Sequence, residues 1–192
     1  LWDHGAGIFG SAIDMDNNND TLEDLELKSA LSKFYEDYGI KLDILGFDMC
    51  LMGVLDVVYL LWNYTRFVVF SEEVEPGNGW PYDTILDYLT NNPSIDPETL
   101  AKKIVDSYIN YYFFSYENAT LSVISTEKLV YSIPKINKLV GFILRNYPEL
   151  STTITQAISN AEFFGDPYYI FQKDLIHFLE LVNSLSLIHI SE

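Results

Sequence analysis

The sequence predicts an α/β fold in which a mainly parallel sheet lies between layers of helices. Two short apolar segments typical of buried strands occur at residues 42–48 and 66–70, and residues 119–125 form a third strand candidate. Longer segments with apolar residues at helical spacing separate them. Strands that alternate with helices are typical of a parallel sheet covered on both faces.

The first forty residues predict a strand end, two loops and a helix. Residues 1–13 are apolar and glycine-bearing, and residues 14–20 form a polar loop. Apolar residues then recur at helical spacing over residues 22–38. Thr21 is placed to cap this helix, with Asp24 completing a capping box.

Helical periodicity continues through the rest of the chain. A loop with strong turn chemistry at residues 76–79 follows the second strand. Asp96 is placed to cap a helix that Pro97 opens, since these residue types favour those two positions. The predicted helices cover residues 53–63, 82–90, 97–113, 126–146, 148–162 and 174–186.

Composition restricts the classes of partner. A chain of 192 residues with 48% hydrophobic residues suits one domain with a substantial core. The net charge of −17 argues against nucleic acid and anionic membranes and favours cationic peptides or metal ions, although most of the acids would simply solvate the surface. No apolar stretch reaches membrane-spanning length, so we expect no membrane insertion. We expect a monomer.

A cysteine and a histidine are the first candidates for catalysis. Cys50 follows the predicted strand 42–48, at the sheet edge where parallel α/β folds bind ligands. A helix starting two or three residues later would favour its thiolate. His4 precedes Gly5, whose backbone N–H could stabilise an oxyanion. The competing interpretations are an inert buried cysteine and a surface histidine; His177 and His189 are weaker candidates.

Three segments carry a resemblance to a known family. Leu1-Trp2-Asp3-His4-Gly5 resembles the His-Gly motif of clostripain-like cysteine peptidases (peptidase family C11, of the caspase-like clan). Asp48-Met49-Cys50-Leu51-Met52-Gly53 resembles their Asp-x-Cys-Leu-Met motif. Residues 71–82 resemble a loop of the same enzymes, and the order of the three segments agrees.

The resemblance implies a fold and a mechanism. The fold is a caspase-like α/β/α sandwich, whose N-terminal strands we expect to lie upstream of Leu1. Cys50 would be the nucleophile, and His4 would transfer protons in a Cys-His dyad. The N–H groups of Gly5 and Cys50 would form the oxyanion hole. The substrates would be peptides or proteins with basic residues, cleaved after Arg or sometimes Lys.

The resemblance also implies a substrate pocket with an acidic wall. Asp48 matches the acid that pairs with the basic side chain, although it could instead cap the following turn. A second acid is expected in the turn at 76–80, where this chain has Asn78; a glutamate at 72, 73 or 75 would compensate. The predicted substrate-binding residues are Asp48, Glu73, Asn78 and Trp80.

The polar loop carries a calcium hypothesis. Its oxygen-bearing side chains alternate as at the start of an EF-hand, but Asn19 replaces the glycine and Leu25 replaces the final glutamate. A looser calcium site and a plain solvated loop both remain open, and no cofactor is expected for the chemistry itself. The predicted ligands are Asp14, Asp16, Asn18 and Asp20.

The sequence also carries expectations about domain boundaries and cellular location. We assign residues 1–186 to a partial peptidase domain and residues 187–192 to a tail that does not fit the pattern before it. The chain begins without an initiator methionine, and by family likeness we expect secretion or a bacterial cell-surface location. The alternative to an active peptidase is an inactive homologue that binds peptides.

Overall fold

The computed structural model describes residues 1–115, 119–166 and 170–190. The chain forms two units, Leu1–Val130 and Tyr131–Glu192. The first unit contains β1 (Ser11–Asp14), β2 (Asp20–Leu22), α1 (Asp24–Tyr38), β3 (Leu42–Gly46), α2 (Leu55–Leu61), β4 (Thr65–Phe70), α3 (Tyr82–Asn91), α4 (Pro97–Tyr112), β5 (Ser122–Ser125) and the start of α5 (Thr126–Arg145). The second unit continues with α6 (Tyr147–Asn160), β6 (Phe163–Asp166), β7 (Ile170–Lys173) and α7 (Leu175–Ile190).

The main sheet has the strand order β3-β4-β5 and is mixed. β3 and β4 pair in parallel with Ile44 opposite Phe67, whereas β5 runs antiparallel to β4. The α/β class is therefore confirmed, but β5 departs from the parallel pairing that strand–helix alternation favoured. One helix, α2, returns the chain between β3 and β4, whereas both α3 and α4 lie between β4 and β5. That pair of helices reverses the direction in which the chain re-enters the sheet.

The first residues of the chain lie beside the end of β3. Trp2 forms an isolated parallel bridge with Asp48. The Asp48 N–H donates to the Leu1 carbonyl oxygen at 2.8 Å, and the Asp3 N–H donates to the Asp48 carbonyl oxygen at 3.4 Å. This pairing holds the segment that carries His4 at the carboxyl edge of the sheet.

A short hairpin follows where the sequence predicted only loops. β1 and β2 pair antiparallel, and the polar residues between them form its turn. Strands of three or four residues are too short to show a period of two in the sequence. The predicted capping box of Thr21 and Asp24 is also wrong, because Thr21 belongs to the unpredicted strand β2. The N-cap of α1 is Glu23, whose N–H donates to the Glu26 carboxylate at 3.0 Å.

Apolar side chains cover both faces of the sheet. On one face, Val68 and Phe70 of β4 pack in a cluster with Val58 of α2. On the other, Val69 packs in a cluster with Tyr108 of α4. Burial on both faces explains why β4 is a continuous apolar run rather than an alternating one.

The remaining helices agree with their predicted positions, and one hairpin was not predicted. Asp96 caps α4 by accepting from the Thr99 N–H at 3.0 Å, with Pro97 in the first turn. In the second unit, β6 and β7 pair antiparallel between α6 and α7. α7 runs to Ile190 and so includes most of the predicted tail; residues 191–192 lie outside the described residues.

Candidate active site

Three stretches that are distant in sequence meet in one pocket at the carboxyl end of β3. They are the N-terminal segment, the residues after β3 and the loop after β4. The pocket has a volume of about 300 Å³ and is lined by Trp2, Asp3, His4, Asp48, Met49, Cys50, Glu75, Pro76, Gly77 and Gly79. The structure therefore brings the two predicted dyad residues into one cavity with the predicted specificity acid.

Close backbone packing places the histidine segment against the cysteine segment. A Cβ on Gly5 would collide with the Cys50 carbonyl oxygen, so glycine is required for this approach. The His4 N–H donates to Asp3 Oδ1 at 2.6 Å, and the His4 carbonyl oxygen accepts from the Ala12 N–H at 2.9 Å. His4 is thus held by its backbone, and its side chain is exposed in the pocket lining.

The Cys50 thiol is half-buried and contacts the backbone of Glu75. The Glu75 N–H donates to Cys50 Sγ at 3.2 Å. Burial raises the pKa of the Cys50 thiol; the Glu75 N–H opposes that rise, and the Glu75 carboxyl charge adds to it. In the empty pocket the cysteine is therefore predominantly a protonated thiol at neutral pH.

The expected helix N-terminus beside Cys50 is absent. α2 begins only at Leu55. The residues before it form a turn, in which Leu51 has a φ of 63° and the Gly53 N–H donates to the Ser71 carbonyl oxygen at 2.7 Å. The prediction that a helix dipole lowers the pKa of Cys50 is therefore wrong.

Asp48 is a buried carboxylate held by the loop after β4. It is 4% exposed. Its Oδ2 atom accepts from the Trp80 N–H at 3.0 Å and from the Tyr82 hydroxyl at 2.7 Å. Gly79 has a φ of +65°, and a Cβ there would lie 2.7 Å from Asp48 Oδ2. The loop therefore wraps closely around this carboxylate.

Glu75 supplies a second carboxyl group to the same wall of the pocket. Its Oε2 atom accepts from Trp80 Nε1 at 3.1 Å, and its side chain is within hydrogen-bonding reach of the Asp48 carboxyl. The pKa of Glu75 is raised to about 9, first by burial and then by the hydrogen bond and charge of Asp48, whereas Trp80 and the Met49 N–H oppose the rise. Burial and the hydrogen bond to Asp48 also raise the pKa of Tyr82.

The other predicted substrate-binding residues lie outside the pocket lining. Asn78 is exposed at the tip of the turn. Glu73 is half-buried, and its Oε1 atom accepts from the Val74 N–H at 2.8 Å. Trp80 is 7% exposed and lies behind the lining, where it donates to both Asp48 and Glu75. Of the three glutamates considered for the second acid, the pocket includes Glu75, a choice that the sequence left open.

The loop proposed for calcium is the turn of the β1–β2 hairpin. Asp14 Oδ1 accepts from the N–H groups of Asp16 and Asn17 at 3.0 and 3.2 Å, and Oδ2 accepts from Asn17 Nδ2 at 2.7 Å. Throughout residues 1–115, 119–166 and 170–190, no three His, Cys, Asp or Glu side chains are grouped to hold a metal ion. The described geometry thus lends the calcium site, including Asn18 and Asp20, no support, and it stays a prediction.

The second described histidine has a structural contact. His177 belongs to the second unit, where its Nδ1 atom accepts from the Glu162 N–H at 3.2 Å. The His177 N–H donates to Asp174 Oδ1 at 2.6 Å at the start of α7. The side chain of His189 lies outside the described residues.

Comparison with known proteins identifies a family for this chain. The sequence profile of the Clostripain family matches residues 1–189. No curated protein matches the chain. Within the part of the chain that the structure describes, no helix is both long and apolar enough to cross a membrane.

Solved structures of cysteine proteases share the fold. A secreted C11 cysteine protease from Bacteroides thetaiotaomicron, in complex with an irreversible peptide inhibitor, is 25% identical with a TM-score of 0.55, covering 67% of this chain and 39% of that one. An inactive zymogen C11 protease from Parabacteroides distasonis is 21% identical with a TM-score of 0.59, covering 97% of this chain and 51% of that one.

The extent of the match limits what these relatives say about a whole enzyme. The chain spans about two fifths of the first relative and about half of the second. The profile match nevertheless covers nearly the whole chain, and the mixed α/β fold agrees with it. The chain therefore belongs to the clostripain family of cysteine peptidases.

Proposed function

We propose that this chain carries the active site of a cysteine endopeptidase that cleaves after Arg or Lys. The observation that supports this most directly is the shared pocket. Cys50 and His4 both line it, and the buried carboxylate of Asp48 forms part of the same wall. A nucleophile, a proton-transfer group and a counter-charge for a basic side chain are therefore together.

The proposed reaction uses the groups in this order. His4 takes the Cys50 thiol proton as Sγ attacks the scissile carbonyl carbon, and the N–H groups of Gly5 and Cys50 stabilise the oxyanion. The C–N bond breaks as His4 passes the proton to the leaving amine. Water, activated by His4, then hydrolyses the thioester and restores the thiol.

The raised pKa of Cys50 fits a nucleophile that is activated after substrate binds. The thiol stays protonated in the empty pocket, which limits its reaction with other electrophiles. A basic substrate side chain would bring positive charge close to Asp48 and Glu75. That charge would offset the carboxyl charge which helps to raise the pKa of Cys50.

The preference for Arg or Lys is attributed to Asp48. Its carboxylate is almost completely buried and is held in place by Trp80 and Tyr82. A buried carboxylate favours a cationic partner strongly, because the alternative is an unpaired charge in a poorly solvated site. Asp48→Asn should lower kcat/KM for an Arg reporter on the order of 10²-fold, with less effect on a reporter carrying neutral citrulline.

Turnover of Arg- and Lys-ended reporter peptides tests the proposal. Cys50→Ala should abolish turnover, and His4→Ala should lower kcat by roughly 10²- to 10⁴-fold. His177→Ala is the matched control, since this histidine is not among the residues that line the pocket, and it should retain activity. Circular dichroism of each variant shows whether the fold persists.

Two results would count against the proposed activity. A folded parent protein that turns over no basic reporter would favour the peptide-binding alternative. Turnover that survives Cys50→Ala would show that another group is the nucleophile. Calcium dependence and the monomeric state stay predictions, to be measured by chelation and by sedimentation.

We also propose that the protein acts outside the cell. The relative from Bacteroides thetaiotaomicron with 25% identity is a secreted protease. Immunodetection in culture medium and in washed cells tests this, and a protein found entirely within lysed cells would contradict it.

A further inference from the structure

Two carboxyl groups face each other in the wall of the pocket, and the activity proposed above assigns a role to only one of them. We propose that Glu75 is a second specificity residue, which shares one proton with Asp48 in the empty pocket and releases it when a basic side chain binds. This inference rests on the proposed function. The pocket would then exchange a proton for a guanidinium or ammonium group, instead of offering that group one fixed negative charge.

The hydrogen-bond donors around the pair are unevenly distributed. Asp48 Oδ2 accepts from Trp80 N–H and the Tyr82 hydroxyl, and Glu75 Oε2 accepts from Trp80 Nε1. Glu75 Oε1 is buried and has no hydrogen-bond partner within the described residues, although the Met49 N–H lies close enough to the Glu75 carboxyl to oppose the rise in its pKa. A proton on the Glu75 carboxyl, donated to Asp48, accounts for this orphaned oxygen.

Two adjacent buried carboxyl groups do not both ionise without a cation, because each charge opposes the other. The raised pKa of Glu75 has this origin in part: after burial, its largest causes are the hydrogen bond and the charge of Asp48. The pair therefore carries one negative charge at neutral pH.

The groups around the pair supply little positive charge. The three described salt bridges, all among exposed side chains, lie elsewhere. The titratable groups that face the pair or line the pocket are Asp3, His4, Cys50, Tyr82 and Tyr108.

Proton release gives the pocket a particular kind of selectivity. A guanidinium or ammonium group that enters brings one positive charge, the Glu75 proton leaves to solvent, and two carboxylates then face the cation. A neutral side chain of the same shape displaces no proton and meets a pair that is already hydrogen-bonded. Cation binding should therefore strengthen as pH rises towards the pKa of Glu75, about 9 in the empty pocket.

Calorimetry on the Cys50→Ala protein measures the proton directly. An Arg-ended peptide amide is titrated at pH 7 in two buffers with different ionisation enthalpies. We expect about one proton to be released for each Arg peptide bound. The matching citrulline peptide should release no proton. Glu75→Gln in the same background should release none and should bind the Arg peptide at least about tenfold more weakly at pH 8.

Glu72→Gln is the matched control. It makes the same side-chain substitution in the same loop, at a residue outside the pocket lining. It should keep both the proton release and the affinity. In Glu75→Gln, glutamine keeps the shape of a neutral glutamic acid. If Glu75→Gln does not fold, the number of protons released by the protein with Asp48 and Glu75 intact still tests the inference.

Stability gives a second readout on Glu75. Its pKa is raised from 4.5 to about 9 in the folded state, so the folded protein binds more protons than the unfolded chain between these values. Its contribution to the free energy of unfolding is complete below pH about 4.5 and is lost as pH rises towards 9. Glu75→Gln should remove this component of the pH dependence, whereas Glu72→Gln should retain it.

The outcomes separate this inference from the proposed activity. If the parent protein cleaves Arg peptides but peptide binding releases no proton, the inference fails and the activity stands. If Glu75→Gln keeps the full preference for Arg over citrulline, the inference also fails. If the parent protein is inactive while the Cys50→Ala protein binds the Arg peptide with proton release through Glu75, the proposed catalysis fails and the inference holds.

Discussion

Single glycines allow the pocket to form. Gly5 lets the histidine segment approach the Cys50 carbonyl, and Gly79 lets the loop after β4 close on Asp48. Gly79 also has a φ of +65°, which side-chain-bearing residues rarely adopt. At both positions a methyl group would displace the residues that carry the proposed chemistry.

Gly79→Ala should destabilise the protein and disturb the pocket. The substitution combines left-handed strain with a Cβ placed 2.7 Å from Asp48 Oδ2, so we expect a loss of about 1–3 kcal/mol in the free energy of unfolding. Denaturant titration measures it. Gly77→Ala is the control, because a Cβ there meets nothing within 4 Å, and its effect should stay within about 0.5 kcal/mol. Equal effects of the two substitutions would contradict this account.

At the scale of elements, α4 supports the loop that carries Glu75 and Gly79. Tyr112, near the end of the helix, is 1% exposed, and its hydroxyl donates to the Gly79 carbonyl oxygen at 2.6 Å. Tyr108 of the same helix is fully buried in the same cluster as Trp80. The helix therefore both packs against the sheet and positions the pocket wall.

Tyr112→Phe should lower the free energy of unfolding by about 1–2 kcal/mol, because it leaves a buried carbonyl without its donor. Tyr111→Phe makes the same chemical change on the adjacent residue, which is 53% exposed, and should have almost no effect. Thermal unfolding of the two variants under identical conditions provides the comparison. If Tyr112→Phe lowers the free energy of unfolding no more than Tyr111→Phe does, the hydrogen bond to the Gly79 carbonyl oxygen does not stabilise the loop.

At the scale of the whole molecule, the net charge agrees with the proposed substrate. A chain with a net charge of −17 attracts cationic peptides over distances comparable to the Debye length. The acidic pocket would then select among peptides that the overall field has already drawn in. Charge and pocket therefore favour the same substrates by different physical routes.

The field should make turnover of basic peptides sensitive to salt. We expect kcat/KM for a peptide with several basic residues to fall roughly tenfold between about 0.05 and 0.5 M NaCl, because salt screens the attraction. A peptide with one Arg and compensating acidic residues should change far less. Parallel pH-stat measurements at the two salt concentrations check this, and an identical salt response of both peptides would exclude long-range attraction.

The local elements were predictable because their signals are local. The apolar run of β4 and the Asp96–Pro97 start of α4 both depend on neighbouring residues, and both predictions are confirmed. The β1–β2 and β6–β7 hairpins escaped prediction because their strands are short, and β1, β2 and β6 include exposed residues, whereas the equally short β5 has none. The antiparallel direction of β5 depends on how two helices pack, which periodicity does not encode.

Short motifs and their order are sufficient to predict the family, the α/β class and the candidate roles of Cys50, His4 and Asp48 from the sequence. Tertiary structure alone decided which glutamate joins Asp48, since Glu72, Glu73 and Glu75 are chemically alike and differ in where the loop after β4 places them. It also reversed the expected shift in the pKa of Cys50. Burial and the distance to a helix end control that shift, and both are properties of the folded chain.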